Sequence, residues 1–293
     1  MQIIEIKIPV AWGHVAVKTW GNPTDEPVII IHGLIDNAGS FDTLIPLLPQ
    51  NFYYICVDLP GHGLSSHLPL GVPIFYFNFI YAIKYTADYF KKQKYILLGH
   101  SFGGRLCILF TQLFPDAVSK IAILDSGYIS PSSPEEHFQC LIDGYDLVKK
   151  TESFKNNKAP NYSYDEIIKK IVESRFGGTL TFKTAQQLAE RMVKKVGDDK
   201  YELTYDRRLR SIVYPSYSDQ YVNEILKKYP VRCPAISIYT STSRKHLPTT
   251  NTFFQVPNFQ WVEVQGHHHS HHTDPNKFAN ILTKFLLNEK SKL

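Results

Sequence analysis

The stretch that decides the fold is KYILLGHSFGG, residues 94–104, in which an apolar run leads directly into a serine set between glycines. An uninterrupted apolar run is typical of a strand that is covered on both faces of a parallel sheet. The segment that follows has helical character and ends before Pro115. A strand, a tight turn and a helix in this order expose a serine hydroxyl at the end of the strand. The sequence therefore predicts that Ser101 is a nucleophile.

Further strands are predicted on both sides of this stretch. Residues 2–10 and 13–20 read as a hairpin, and apolar runs predict the other strands at 27–33, 52–58, 120–125, 234–240 and 260–266. Helices are predicted at about 41–48, 76–92, 103–114 and 275–288. Because strands alternate with helices, we expect an α/β fold with a mostly parallel central sheet and right-handed crossovers.

The alternation breaks between about 130 and 215. No strand is predicted there, and polar segments of helical character cover residues 135–150, 164–176 and 182–196. An insertion of about 85 residues is too long for an ordinary connection and is more typical of a lid. We therefore expect a core of residues 1–128 and 216–293, with a helical cap at 129–215 inserted after the sixth strand.

Composition excludes several classes of protein. The net charge is only +5 over 293 residues, and the lysines and arginines are scattered, so we expect no nucleic-acid partner. The apolar runs are too short for a membrane span, and the first 21 residues lack the pattern of a signal peptide. The four cysteines lack metal-binding spacing and read as reduced thiols of an intracellular protein.

An activated serine needs donors for the oxyanion that forms when it attacks a carbonyl. The backbone N–H of Phe102, directly after the serine, is one candidate. The second is expected on the loop that follows the strand at 27–33. There the small Gly33 lets the backbone approach, so we assign the N–H of Leu34.

The serine also needs a base, and the run GHHHSHHTDP at 266–275 offers several histidines. The candidates are His267, His268, His269, His271 and His272. A metal site is the alternative use of such a run, but consecutive loop histidines point in different directions and no cysteine supports it. The spacing to Pro275, which starts the final helix, favours His268 as the base.

These motifs resemble the α/β-hydrolase superfamily and, within it, the animal serine hydrolase-like proteins. The resemblance is carried by AWGH, by the stretch from HGLIDNAGSF to DLPGHGLSSH, by GHSFGG and by QWVEVQGHHHSHHTDP. It implies an α/β-hydrolase fold with Ser101 as nucleophile and His268 as base. It also implies that Asp58, His62 and Gly63 of DLPGHG shape a turn and are structural.

The acid of the triad departs from the usual superfamily pattern. The superfamily most often places it after the strand at 234–240, but the loop from Thr240 to His246 contains no Asp or Glu. Some branches use the end of the preceding strand, where this chain has Asp125. A carboxylate at that position could orient the imidazole, so we favour Asp125. The alternatives are that Asp125 only binds local amides, or that Asp274 reaches back to the base.

The sequence therefore predicts a serine hydrolase that cleaves a small apolar or lipid-like ester or thioester, without a cofactor or a metal. The alternative is a catalytically impaired protein of this fold that binds a small apolar ligand. The final residues, Ser291, Lys292 and Leu293, match the tripeptide read by the peroxisomal import receptor. We therefore expect a peroxisomal location, or otherwise a cytoplasmic one.

Overall fold

The computed structural model describes residues 1–153, 160–243 and 259–289. The proposed targeting residues Ser291, Lys292 and Leu293 lie outside these ranges, as does the part of the 240–246 loop that follows Ser243. Within the described ranges, no helix has both the length and the apolar character that crossing a bilayer requires.

The core of the molecule is a twisted sheet built from eight of the strands that the described residues form. The strands are β1 Ile3–Val10, β2 Gly13–Trp20, β3 Glu26–Ile31, β4 Phe52–Val57, β5 Tyr95–His100, β6 Val118–Leu124, β7 Val193–Gly197, β8 Lys200–Leu203, β9 Ala235–Thr240 and β10 Phe259–Val264. The sheet order is β1-β2-β4-β3-β5-β6-β9-β10. Within this eight-stranded sheet only the β1–β2 and β2–β4 pairs are antiparallel, so the expected mostly parallel sheet is confirmed.

Helices cover both faces of this sheet. The α-helices of the described residues are α1 Asn78–Phe90, α2 Phe102–Leu113, α3 Pro134–Ser153, α4 Tyr164–Glu173, α5 Phe182–Met192, α6 Asp219–Lys228, α7 Ser270–Thr273 and α8 Asn276–Leu286, of which α3, α4 and α5 belong to the insertion. Alternate residues of each central strand enter two separate cores, because side chains of a strand alternate between its faces. Ile29 and Ile31 pack in the core with α1 and α2, whereas Val28 and Ile30 pack in the core with α8.

Two expectations about local structure are wrong. The helix expected at about 41–48 is replaced by two short 3₁₀ turns, Ala38–Phe41 and Ile45–Leu47. Pro46 has no backbone N–H to donate, which disfavours a longer helix there. The insertion, residues 129–215, was expected to lack strands but contains the antiparallel pair β7–β8. The helical segment expected at 182–196 ends at Met192 as α5, because the chain continues from Val193 as strand β7.

Candidate active site

Ser101 occupies a strained turn between β5 and α2. Its backbone angles are φ 50° and ψ −117°, in a region where a side chain costs about 1–3 kcal/mol. Its N–H donates to the carbonyl of Leu124 (3.0 Å), which continues the β5–β6 pairing past the strand end. The hydroxyl of Ser126 donates to the carbonyl of Ser101 (2.6 Å). These contacts hold the turn in its strained conformation.

The glycines at 99 and 103 let the strand and the helix approach closely enough to form this turn. A Cβ at Gly99 would lie 2.5 Å from the carbonyl oxygen of Gly103. A Cβ at Gly103 would collide with the carbonyl oxygens of Ile31 and His32. Larger residues at either position would therefore displace backbone rather than a flexible side chain.

Ser101, His268 and Asp125 form a continuous hydrogen-bonded chain. The Ser101 hydroxyl lies 2.8 Å from Nε2 of His268, and Nδ1 of His268 lies 2.5 Å from Oδ2 of Asp125. A carboxylate can only accept from this nitrogen, so we assign the proton of the neutral ring to Nδ1. Nε2 then presents its lone pair to the serine hydroxyl. The carboxylate is almost fully buried, while 15% of the imidazole side chain is exposed to the cavity.

The loop after β9 supplies donors to the carboxylate of Asp125. Its Oδ1 accepts from the N–H (2.7 Å) and hydroxyl (2.9 Å) of Thr240, and its Oδ2 accepts from the hydroxyl of Ser243 (2.6 Å). Burial alone would raise the pKa of Asp125, but the hydrogen bonds from His268, Ser243 and the Thr240 N–H outweigh burial and lower it. The carboxylate is therefore ionised at neutral pH.

Sequence reasoning missed the roles of Thr240 and Ser243. The only available signal was the concentration of hydroxyl residues in the loop that lacks an acid. The carboxylate of the alternative acid, Asp274, pairs with Lys277 (2.8 Å), whereas it is the carboxylate of Asp125 that contacts His268. Asp125 does bind a local amide, as one alternative held, but it contacts the imidazole as well.

The remaining histidines of the run face different partners. Their side-chain hydrogen bonds include those of His267 with the Thr273 hydroxyl (3.3 Å), His269 with the Phe176 carbonyl (3.1 Å) and His272 with Oε1 of Gln187 (3.0 Å). Among the described residues, no three His, Cys, Asp or Glu side chains are placed to hold a metal ion together. Within this run, only His268 lies against Ser101.

Two buried histidines support the loop that carries His268. His100 and His271 stack with ring centroids 3.9 Å apart, and Nε2 of His100 donates to the carbonyl of His268 (2.9 Å). Burial lowers the pKa of both well below the usual value, so both rings are neutral at physiological pH. His100 therefore fixes the backbone from which the base projects.

The insertion contacts the same loop directly. The N–H of His268 donates to the carbonyl of Gly177 (3.0 Å), and a Cβ at Gly177 would lie 2.8 Å from the Cβ of His268. Gly178 packs against the ring of His267 in the same way. Both glycines have positive φ, 77° and 150°, which other residues rarely adopt. Sequence reasoning missed this contact, although a Gly-Gly pair within a polar segment was its signal.

The assigned oxyanion donors both line the cavity at Ser101. Phe102 is the first residue of α2, where backbone N–H groups lack partners within the helix. Leu34 follows Gly33, whose carbonyl lies 2.7 Å from Nδ1 of His32. Nε2 of His32 accepts from the N–H of Leu59 (3.0 Å), so we assign the ring proton to Nδ1. Nδ1 of His32 therefore donates to the carbonyl of Gly33. Because a trans peptide points its C=O and N–H in opposite directions, this hydrogen bond to Gly33 also orients the N–H of Leu34.

The residues of the DLPGHG turn make structural contacts. The carboxylate of Asp58 accepts from the N–H of Ala38 (2.7 Å) and of Leu64 (2.8 Å). The ring of His62 is fully buried, with its centroid 4.9 Å from that of His32. Gly63 has φ 50°, and a side chain there would collide with the Asp58 carboxylate. The turn therefore packs beneath the loop that carries Leu34.

A cavity of about 940 Å³ opens above Ser101. The core contributes Leu34, Phe102 and the three hydrogen-bonded residues described above. The insertion contributes apolar, aromatic and charged side chains, which include Ile171, Arg175, Phe176, Met192, Tyr205 and Arg210. The walls of the candidate site are therefore shared between the core and the insertion.

The fold and site together define a class of protein. A family profile described as alpha/beta hydrolase fold matches residues 26–275. Serine hydrolase-like protein 2 of Homo sapiens is 31% identical over 97% of this chain and 94% of its own length. Serine hydrolase-like protein of Mus musculus is 31% identical over 96% of this chain and 95% of its own length. The chain belongs to the α/β-hydrolase family and, within it, to the serine hydrolase-like proteins. The fold and these relatives indicate a hydrolase.

Solved structures share the fold at lower identity. A hypothetical protein from Pseudomonas aeruginosa PAO1 superposes with a TM-score of 0.81 at 22% identity, over 97% of this chain and 98% of that one. The thioesterase domain from the curacin biosynthetic pathway superposes with a TM-score of 0.75 at 18% identity, over 98% of this chain and 100% of that one. The α/β-hydrolase fold expected from the sequence is confirmed.

Proposed function

We propose that the protein hydrolyses a carboxylic ester or thioester through an acyl-serine intermediate. The observation that carries this proposal is the hydrogen-bonded chain from Ser101 through His268 to Asp125, with Ser101 on a strained turn at a cavity. A serine hydroxyl is a weak nucleophile unless a base takes its proton, and this arrangement supplies the base and its orienting carboxylate.

In the proposed reaction, Oγ of Ser101 attacks the carbonyl carbon while Nε2 of His268 takes the hydroxyl proton. The oxyanion receives hydrogen bonds from the N–H groups of Leu34 and Phe102. The imidazolium, held by Asp125, then gives its proton to the departing alkoxide or thiolate. Water, deprotonated by the same nitrogen, attacks the acyl group and releases the carboxylic acid with regeneration of Ser101.

The insertion would act as the cap that selects the substrate. It supplies much of the cavity lining, including the apolar Ile171 and Met192 and the aromatic Phe176. Such a lining suits a small apolar or lipid-like substrate, and a volume near 940 Å³ is within the range of small-molecule sites.

A fluorophosphonate probe combined with an activated ester tests the proposal. Purified protein is treated with the probe, and hydrolysis of p-nitrophenyl butyrate is followed by absorbance. We expect labelling and turnover in the wild type and neither in Ser101→Ala. Ser216→Ala is the control, because Ser216 is exposed and does not line the cavity. An unlabelled, inactive wild type with a normal melting transition would contradict the proposal.

The alternative function, a hydrolase-fold protein that only binds an apolar ligand, was suggested by the lack of an acid after β9 and by the unusual run of histidines. The contact of the Asp125 carboxylate with Nδ1 of His268 favours the hydrolase over this alternative. The labelling experiment distinguishes the two, because a binding protein with an inert serine would not react with the probe.

A further inference from the structure

Arg105 is a second polar feature of the cavity, one helical turn beyond the serine. It belongs to α2, its N–H donates to the carbonyl of Ser101 (3.3 Å), and its side chain lines the cavity. Arg105 follows Ser101 by four residues, so the two backbone positions are about one helical turn apart. Because both residues line the cavity, the guanidinium and the serine hydroxyl face the same space.

The guanidinium of Arg105 lacks a counterion within the described ranges. It makes neither an ion pair nor a side-chain hydrogen bond there, although the residue is half-buried. Three other arginines with buried side chains are each paired: Arg175 with Asp36 (2.7 Å), Arg191 with Asp58 (2.8 Å) and Arg208 with Asp206 (2.6 Å). A guanidinium remains charged at any physiological pH, so a half-buried guanidinium without a counterion lowers the stability of the folded protein.

The carboxylates of the cavity do not neutralise this charge. Asp36 is paired with Arg175, and Asp125 is hydrogen-bonded to His268. Glu173 is largely exposed, and its carboxylate faces Lys169 at 3.9 Å. The charge of Arg105 is therefore available to a ligand.

Aromatic side chains line the cavity together with Arg105. Arg105 and Tyr214 line the same cavity, and the charge of Arg105 opposes the rise that burial causes in the pKa of Tyr214 and of Tyr76. The ring of Phe102 packs against both tyrosines, with centroids 5.6 and 6.4 Å away. Apolar walls reduce screening by water, so an anion bound here would be attracted more strongly than on an open surface.

We propose that Arg105 binds a carboxylate of the substrate, and that the substrate is an ester or thioester whose acyl chain carries this carboxylate at its far end. This proposal rests on the proposed function and names its substrate class. A guanidinium presents two parallel N–H donors that match a carboxylate, and one charge balances the other. We place the substrate carboxylate on the acyl group because this group stays bonded to Ser101 after the leaving group has departed. Arg105 is one helical turn from Ser101.

Matched pairs of esters test this assignment. The p-nitrophenyl monoesters of succinic, glutaric and adipic acid are compared with p-nitrophenyl butyrate, pentanoate and hexanoate of equal chain length. For at least one pair, we expect kcat/KM to be about tenfold higher for the carboxylate ester, mainly through a lower KM. Arg105→Met should remove this preference and Arg105→Glu should reverse it, whereas Arg232→Met should retain it. Arg232 is exposed and does not line the cavity.

The carboxylate site is overturned if kcat/KM is equal within every pair, or if the preference persists in Arg105→Met. Either result leaves the proposed ester hydrolysis standing. Calorimetric titration of Ser101→Ala protein with monomethyl glutarate separates binding from turnover. The site is supported if Ser101→Ala binds the ligand and the Ser101→Ala/Arg105→Met protein does not. If this result is obtained although no ester is hydrolysed, the proposed function is wrong but the carboxylate site stands. Absence of binding, or equal binding by both proteins, overturns the site.

Discussion

The carboxylate of Asp58, on the loop after β4, forms an ion pair with the guanidinium of Arg191, on α5 of the insertion, at 2.8 Å. Both side chains are buried, so this pair joins the core to the insertion out of contact with water. The same carboxylate binds the backbone N–H groups of Ala38 and Leu64 beneath the candidate oxyanion loop. Loss of the pair would therefore affect both the stability of the insertion and the shape of the site.

Arg191→Met should destabilise the protein by about 3–5 kcal/mol, because it leaves the buried carboxylate of Asp58 without a counterion. The free energy of unfolding is measured by urea titration. Asp88→Asn is the control, since Asp88 pairs with Lys84 on an exposed face of α1 and should change stability by about 0.5 kcal/mol or less. Equal effects of the two substitutions would show that burial does not strengthen the Asp58–Arg191 pair.

Asp125→Asn should reduce kcat on an activated ester by several orders of magnitude. Asparagine offers Nδ1 of His268 an amide that no longer fixes the tautomer, and the equivalent change in trypsin costs about 10⁴-fold. Asp274→Asn is the matched control and should retain nearly normal kcat, because Asp274 pairs with Lys277. A folded Asp125→Asn protein with near-normal kcat would exclude this carboxylate from the triad.

His268→Ala should abolish turnover and probe labelling, because it removes the base that contacts the Ser101 hydroxyl. His267→Ala should cost far less, since its ring contacts Thr273 instead. Melting curves establish that both variants are folded before kcat is compared. If His267→Ala were the inactive variant and His268→Ala the active one, the assignment within the run would be wrong.

Stability should fall as the pH is lowered from about 6.5 towards 4. Burial lowers the pKa of His269 and of His272 to about 4, whereas an unfolded histidine titrates near 6.5. Between these values the unfolded chain binds more protons than the folded one, so protonation favours unfolding, by up to about 3 kcal/mol per histidine. Urea titrations at pH 7.5 and pH 5 measure the difference.

His271→Leu provides the matched variant for this pH dependence. Neither ring nitrogen of His271 has a hydrogen-bond partner among the described residues, and burial lowers its pKa well below the usual value. The variant should be at least as stable as the wild type at pH 7.5 and should lose less stability at pH 5. An unchanged loss between the two pH values would exclude His271 as a contributor to acid sensitivity.

The sheet could be read from the sequence because each central strand is buried on both faces and is therefore uniformly apolar. The β7–β8 pair could not, since its strands are only five and four residues long and none of their residues is buried. The position of Asp125 at a strand end identified it as a candidate, but hydroxyls such as those of Thr240 and Ser243 occur in many loops. Their convergence on one carboxylate depends on the β6–β9 pairing, which sequence spacing does not specify. The peroxisomal address stays a prediction.

The contact of Gly177 with the backbone of His268 has a consequence for how substrate preference can change in evolution. The segment that lines the cavity also supports the loop of the base, through a backbone bond that tolerates little more than glycine. Exchange of this segment between related enzymes would therefore disturb the rate of catalysis as well as the choice of substrate. New preferences would arise more readily by point changes that spare residues 177 and 178 than by transplanting the whole segment.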